Sequence, residues 1–307
     1  MKLEGIHHIT AITADAFLNV EFYAGVLGLR MVKKTVNQDD PTVYHLFYAD
    51  EVGSAGADIT FFEYPGAGEG RAGDGMVHRV VWRLSSAEAL DFWEKRLGRE
   101  GVKVERSERS MVFADPEGLN LEFVVDESGD DPLRAEFPDI PLDHALRGFE
   151  GVRAYSSRPQ RSTALFEHAL NFHQKDDTWI VRGRERGAFY VFDPPPPTAP
   201  TSGAGTVHHI AWASTINEHD AWHQRVSAAG ASPTPVIDRF YFKSIYFREP
   251  SGVLFEIATL GPGFTVDEDP STLGQALSLP PKYEHLRDDL LGVLTPLPDP
   301  RDEAGDL

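Results

Sequence analysis

The chain has 307 residues, 41% of them hydrophobic and 25% charged, enough to bury one large core or two ordinary ones. It has no cysteine, which excludes disulfides, thiolate metal sites and a cysteine nucleophile, so any metal must rest on His, Asp and Glu. A net charge of −19 argues against nucleic acid or an anionic membrane as partner, and no apolar run approaches the ~18 residues of a membrane span.

No basic-then-apolar leader follows Met1, so the expected location is the cytoplasm. The first unit covers residues 4–66: Glu4-Gly5, a β-branched strand through Thr10, then a helix carrying Phe22 and Tyr23 ahead of Leu27-Gly28. The flexible Gly66-Ala67-Gly68-Glu69-Gly70 leads to a second unit, 75–127. There Met76 to Leu84 (MVHRVVWRL) reads as a strand, and Ser85 to Arg99 as a helix with a Ser–Ser cap and Glu88 on its first turn. Asp115-Pro116-Glu117-Gly118 is a turn that feeds a strand with Glu122 at the fourth place after Gly118. An acidic, polar stretch from Asp126 to Asp143 precedes a third unit, 149–194, in which Glu150 to Phe172 faintly repeats Glu4 to Leu29. The polyproline stretch Pro194 to Pro200 precedes a fourth, 205–261. Its Val207 to Ser214 (VHHIAWAS) repeats the second unit's strand with Trp212 in the register of Trp82, and Asn217 to Ala229 repeats its helix. Glu249-Pro250-Ser251-Gly252 repeats the turn and again puts a Glu, Glu256, at the fourth place after the Gly. Beyond Gly261 the chain is acidic and Pro-rich, with one short helix expected at about Pro281 to Leu290 and a place on the outside.

This internal repeat defines an α+β fold of four modules, each a strand, a helix and three strands. Residues 1–140 hold modules one and two, 141–262 modules three and four, and 263–307 the tail. The order and spacing of GIHHIT (5–10), RMVKKT (30–35), ITFFE (59–63), TVHHIAW (206–212) and the late LPPKYEHLRDDL carry a likeness that spans nearly the whole chain. In these the sequence resembles the vicinal oxygen chelate (glyoxalase/bleomycin resistance/dioxygenase) superfamily, and within it ring-cleaving dioxygenases similar to hydroquinone 1,2-dioxygenases. The resemblance implies βαβββ modules paired into two curled β-sheet barrels around a metal.

Strand alternation lets only one histidine of each His-His pair face inward on an ideal pleat. The resemblance makes it the second, so that His8, His209 and Glu256 are the implied metal ligands. In the intervening modules Arg79 holds the place of His209, Ala154 the place of His8, and only Glu122 remains as counterpart of Glu256. A working triad therefore needs module one to pair with four, and two with three. Adjacent pairing, the rival, splits the triad.

The resemblance further implies Fe(II), with Mn(II) as the alternative and Zn or Ni as ions a purified sample can carry. It assigns Arg239 to a phenolate or carboxylate, Tyr246 to a hydrogen bond with substrate or bound oxygen, and His7, His208 and Thr10 to places around the ligands. Alternation keeps His7 and His208 out of the same cavity unless a bulge turns them. The expected activity is extradiol-type opening of a hydroquinone or catechol ring with O₂, and a homodimer is a family habit. Two alternatives stand beside it. A glyoxalase-type isomerase or lyase needs a fourth, carboxylate ligand, which the Thr60 to Phe62 segment lacks unless Glu63 reaches the metal. A non-catalytic resistance protein that binds small molecules has no need of the triad. The isolated His78, His168 and His173 read as structural.

Overall fold

Each of the four repeats becomes four strands in the computed structural model, which describes residues 1–298; the tail's last residues, 299–307, lie outside the described residues. Module one contributes β1 (Ile6–Thr13), β2 (Arg30–Val36), β3 (Tyr44–Ala49) and β4 (Asp58–Glu63). Module two contributes β5 (Val77–Leu84), β6 (Glu105–Arg106), β7 (Ser110–Ala114) and β8 (Asn120–Val125). Module three contributes β9 (Phe149–Tyr155), β10 (His173–Lys175), β11 (Thr178–Arg182) and β12 (Gly187–Asp193). Module four contributes β13 (Val207–Ser214), β14 (Ile237–Asp238), β15 (Phe242–Arg248) and β16 (Leu254–Pro262).

The strands form two eight-stranded sheets, in the orders β14-β15-β16-β13-β1-β4-β3-β2 and β10-β11-β12-β9-β5-β8-β7-β6. Module one thus pairs with four and module two with three, and each sheet draws strands from both sides of residue 140. Central strand β1 is buried along its whole length, as suits a strand packed on both faces, and it runs parallel to β4 and antiparallel to β13. Alternation sorts its neighbours. Ile210 and Trp212 of β13 join the large cluster under the helices, whereas Ala211 joins a smaller one on the concave face with Val32, Phe47, Phe242 and Ala258. Helix α1 (Ala16–Val20) continues as a π-turn to Val26. Helix α2 (Ala87–Arg99) begins where the Ser86 side chain accepts from the Ala89 amide, and it buries Leu90, Trp93 and Leu97. Among the described residues no helix is long and apolar enough to cross a membrane.

The β1/β13 register skips one residue at His7 and another at His208, so each of these histidines sits at a bulge directly before a predicted ligand. The β5/β9 pair repeats both skips, with Val80↔Val152 and Val81↔Gly151 in the places of Ile210↔Ile9 and Ala211↔His8. The residue standing where His8 stands is therefore Gly151 and not Ala154. The matching of Glu4-Gly5 with Glu150-Gly151 is three residues out of step: Gly5 (φ +89°) corresponds to Gly148 (φ +90°), each in the left-handed conformation at the entrance to its central strand.

The tail is more than an outer covering. Phe264, Leu273, Leu277 and Leu279 are buried, and the fully buried Lys33 ammonium donates to Asp267 (2.8 Å), to Glu268 and to the Phe264 carbonyl (3.2 Å). An unpaired buried ammonium costs several kcal/mol, so these tail carboxylates complete the core of module one. Their apolar neighbours follow no helical or strand period, which is why composition alone placed the segment outside. The tail's helical end is a 3₁₀ turn, Pro281–Leu286, followed by a short α-helix, Arg287–Leu291.

Candidate metal centre

His8 on β1, His209 on β13 and Glu256 on β16 come from three neighbouring strands, and all three are buried. His8 Nε2 lies 3.2 Å from His209 Nε2; Glu256 Oε2 lies 3.2 Å from the first and 2.9 Å from the second. The hydrogen bonds behind them fix what these atoms offer. His7 Nε2–H donates to the Thr259 carbonyl (3.1 Å), which leaves His7 Nδ1 as an acceptor, and His8 Nδ1–H donates to it at 2.9 Å. His8 Nε2 then carries a lone pair aimed at Glu256. His209 Nδ1 pairs with His208 Nδ1 at 2.8 Å, and with the proton on His209 Nδ1 its Nε2 is bare.

Glu256 Oε1 accepts from the Ser244 hydroxyl, but buried Oε2 has no hydrogen-bond partner despite its two imidazole neighbours. Burial pushes this carboxyl upward, yet the adjoining His8 and His209 hold it well below the usual carboxylate range. Burial likewise keeps His209 neutral to lower pH than usual, and His7 down to about 3. Two nitrogen lone pairs and a carboxylate oxygen facing one another in a dry interior call for a cation. Donors spaced about 3 Å apart are what an ion with bonds of ~2.0–2.1 Å requires. The residues present fit a divalent metal.

A narrow cleft opens above the triad, walled by Phe47, Phe62, Tyr241, Phe242 and Tyr246, with His45 on one side and Gln38, Asp39 and Arg239 at the rim. Arg239 enters through a tight turn. Asp238 accepts from the amide of Phe240, which adopts a left-handed φ of +70°, and Tyr241 N–H closes on the Arg239 carbonyl at 2.9 Å. The guanidinium grips Asp39 through two bonds of 3.1 and 3.0 Å and donates from Nε to the Tyr246 hydroxyl at 3.3 Å. Burial, followed by the Glu256 charge, pushes the Tyr246 phenol upward.

Thr10 joins the cluster, its hydroxyl 3.0 Å from His209 Nε2 and 2.8 Å from Thr60 Oγ1. His7 and His208 do not line this cleft. His7 borders a larger cavity of about 520 Å³ behind β1, and His208 faces another hollow beside Arg248. The larger cavity lacks all three donors, so chemistry and not size locates the site. Glu63 turns away and accepts from the Ala16 amide at 3.1 Å. Asp39, Ser244 and His45 were passed over in the sequence, and Thr60 was named only as part of a segment without a fourth, carboxylate ligand. Thr60 faces Thr10 only through the parallel β1/β4 register, which no local pattern announces.

The fold and the site agree with the chain's likeness to known proteins. The model of the Glyoxalase/Bleomycin resistance protein/Dioxygenase superfamily matches residues 5–123 and 142–257, and the chain belongs to that superfamily. Among its relatives is MhqO of Bacillus subtilis (strain 168), provisionally named a ring-cleaving dioxygenase. It is 43% identical over 304 residues, covering 96% of this chain and 97% of the relative. The chlorohydroquinone/hydroquinone 1,2-dioxygenase of Sphingobium indicum is 30% identical over 312 residues, covering 95% and 96%. A crystal structure from Bacillus subtilis subsp. subtilis str. 168, also provisionally named a dioxygenase, superposes with a TM-score of 0.89 at 40% identity, covering 97% of this chain and 98% of that one. Glyoxalase I from Zea mays shares the fold alone, with a TM-score of 0.55 at 15% identity over 83% of this chain and 92% of its own.

Proposed function

We propose that the chain is an Fe(II)-dependent, extradiol-type dioxygenase that opens the ring of a hydroquinone or catechol, with the metal on His8, His209 and Glu256. The observation that carries this reading is the meeting of three lone-pair donors beneath a cleft walled by aromatic rings. Two histidines and one carboxylate leave adjacent positions free for substrate and O₂ together. Iron bound there supplies Lewis acidity and a path for electrons from the electron-rich ring to O₂. Mn(II) suits the same donors, and Zn or Ni can fill them in a purified sample without being the working ion.

The chain's own residues do the rest. Phe47, Phe62 and Phe242 make a slot for a flat ring. The Arg239 guanidinium, permanently charged and oriented by Asp39, holds a phenolate or a developing carboxylate. Tyr246 keeps its proton at neutral pH and so acts as a donor toward substrate or bound oxygen. His7 and His208, standing behind the ligands, orient the rings of His8 and His209. Thr10 offers a hydroxyl beside the triad. The turned-away Glu63 and the neutral Thr60 support this reading over an isomerase with a fourth, carboxylate ligand.

The test is oxygen uptake by anaerobically Fe(II)-loaded protein with a panel of hydroquinones and catechols. Uptake coupled to loss of aromatic absorbance, and absent in His209→Ala, is the expected result. No uptake with any of them at one iron per chain would shift the function to an isomerase or lyase on this fold.

A further inference from the structure

The segment LPPKYEHLRDDL, residues 279–290, has no place in the chemistry above, yet it reaches the turn that carries Arg239. Its Tyr283 hydroxyl donates to the Gln38 carbonyl, and Gln38 Nε2 donates to the Arg239 carbonyl at 2.6 Å. Beside them Asp39 holds the Arg239 guanidinium, and Lys282 gives Asp39 a second cationic neighbour. On the other flank of Arg239, the buried Tyr241 donates from its hydroxyl to Asp267 of the tail at 3.0 Å. Residues of the tail thus hold the Arg239 turn from both sides.

That turn needs holding. Phe240 is left-handed, with φ +70°, a conformation that a non-glycine residue keeps only where its surroundings over-determine it. The fold does not ask for it. The second sheet closes the same four-residue turn at 107–110, with Ser107 N–H on the Ser110 carbonyl at 2.8 Å where Arg239 N–H bonds the Phe242 carbonyl at 2.9 Å. None of those four described residues is left-handed, and the turn is tied by its own two serines, whose Oγ atoms lie 2.9 Å apart. What the first sheet gains from the strained form is the Arg239 side chain at the rim of the cleft, against Tyr246.

We propose that Tyr283 and Gln38 are positioning residues for Arg239, so that the C-terminal segment sets how tightly the cleft binds a phenolate. This rests on the phenol-binding reading above. The Tyr283 hydroxyl fixes the Gln38 backbone, Gln38 fixes the Arg239 carbonyl, and the guanidinium stays against Asp39 and Tyr246. Without this clamp the turn relaxes toward the form seen at 107–110, and Arg239 loses its register with a bound anion.

The experiment titrates Zn(II)-loaded protein, which binds but does not oxidise, with 4-nitrocatechol, whose spectrum reports the bound phenolate. Zinc content is measured beside the dissociation constant. Arg239→Ala should weaken binding roughly 30-fold, as the loss of a charged hydrogen-bond donor does. Tyr283→Phe and Gln38→Ala should each weaken it about fivefold, the worth of one hydrogen bond, with zinc content as in the wild type. In the Arg239→Ala background the same two changes should have no effect, because they act through the guanidinium. Wild-type affinity in Tyr283→Phe, loss of its zinc, or an equal weakening in the absence of Arg239 would overturn the clamp alone. A wild type that does not bind the probe would remove the phenol-binding reading and the clamp with it.

Discussion

Where the first sheet gathers His8, His209 and Glu256, the second carries Gly151, Arg79 and Glu122 at the same register positions. The difference shows what the fold needs and what the chemistry needs. In the second sheet Arg79 Nη1 donates to Glu122 at 3.1 Å, so a fixed guanidinium stands where the first sheet wants a dissociable cation. A ligand in the place of His8 is impossible there. A Cβ on Gly151 would lie 2.4 Å from the Phe189 carbonyl and 2.6 Å from its ring. His78, the counterpart of His208, is bound to Asp193 at 2.8 Å and stacked on Tyr155. A sheet with this topology therefore closes and packs without a triad. The three donors of the first sheet are not a folding requirement.

Paired substitutions in the two sheets separate what folding needs from what the proposed chemistry needs. The largest effect is on turnover: His209→Ala should reduce aromatic-dependent oxygen uptake to the level of free iron, whereas Glu122→Gln should leave it unchanged. Equal losses would make the two sheets functional partners. Next comes stability. Trp212 and Trp82 are fully buried at matching places, and each change to Ala should cost about 3–5 kcal/mol in urea unfolding. Unequal costs would show that the sheets do not share their structural load.

A smaller effect is confined to the first sheet and to metal-free protein. In the fold His7 stays neutral to about pH 3, while in the unfolded chain it takes a proton below about 6.5. Between those values the unfolded chain binds more protons, so stability falls as pH falls, by about 2 kcal/mol from pH 7 to 5. His7→Asn should flatten that slope, as urea midpoints at the two pH values would show. The smallest effect lies in the second sheet. The Arg79–Glu122 pair is partly exposed, so Arg79→Ala should cost no more than about 1 kcal/mol.

Much of this was legible in the chain. Trp82 and Trp212 with their Pro-x-Gly turns marked modules two and four, and the family resemblance, by naming His8, His209 and Glu256 as ligands, required module one to meet module four. The register inside β9 was not legible, because the local Glu-Gly match outweighed a left-handed glycine three residues earlier. Nor was the contact between Thr10 and Thr60, which comes from strands paired across the sheet. The burial of the tail was hidden because Lys33 and its carboxylate partners are more than 230 residues apart.

One sheet brings together three donors that could hold a metal, and the other has no such cluster among the described residues. The direct measurement is iron content after anaerobic loading and desalting of the wild type, Glu256→Gln and Glu122→Gln. One iron per chain is expected in the wild type and in Glu122→Gln, and almost none in Glu256→Gln, if the proposed function is right. Full occupancy in Glu256→Gln, or loss in Glu122→Gln, would contradict it.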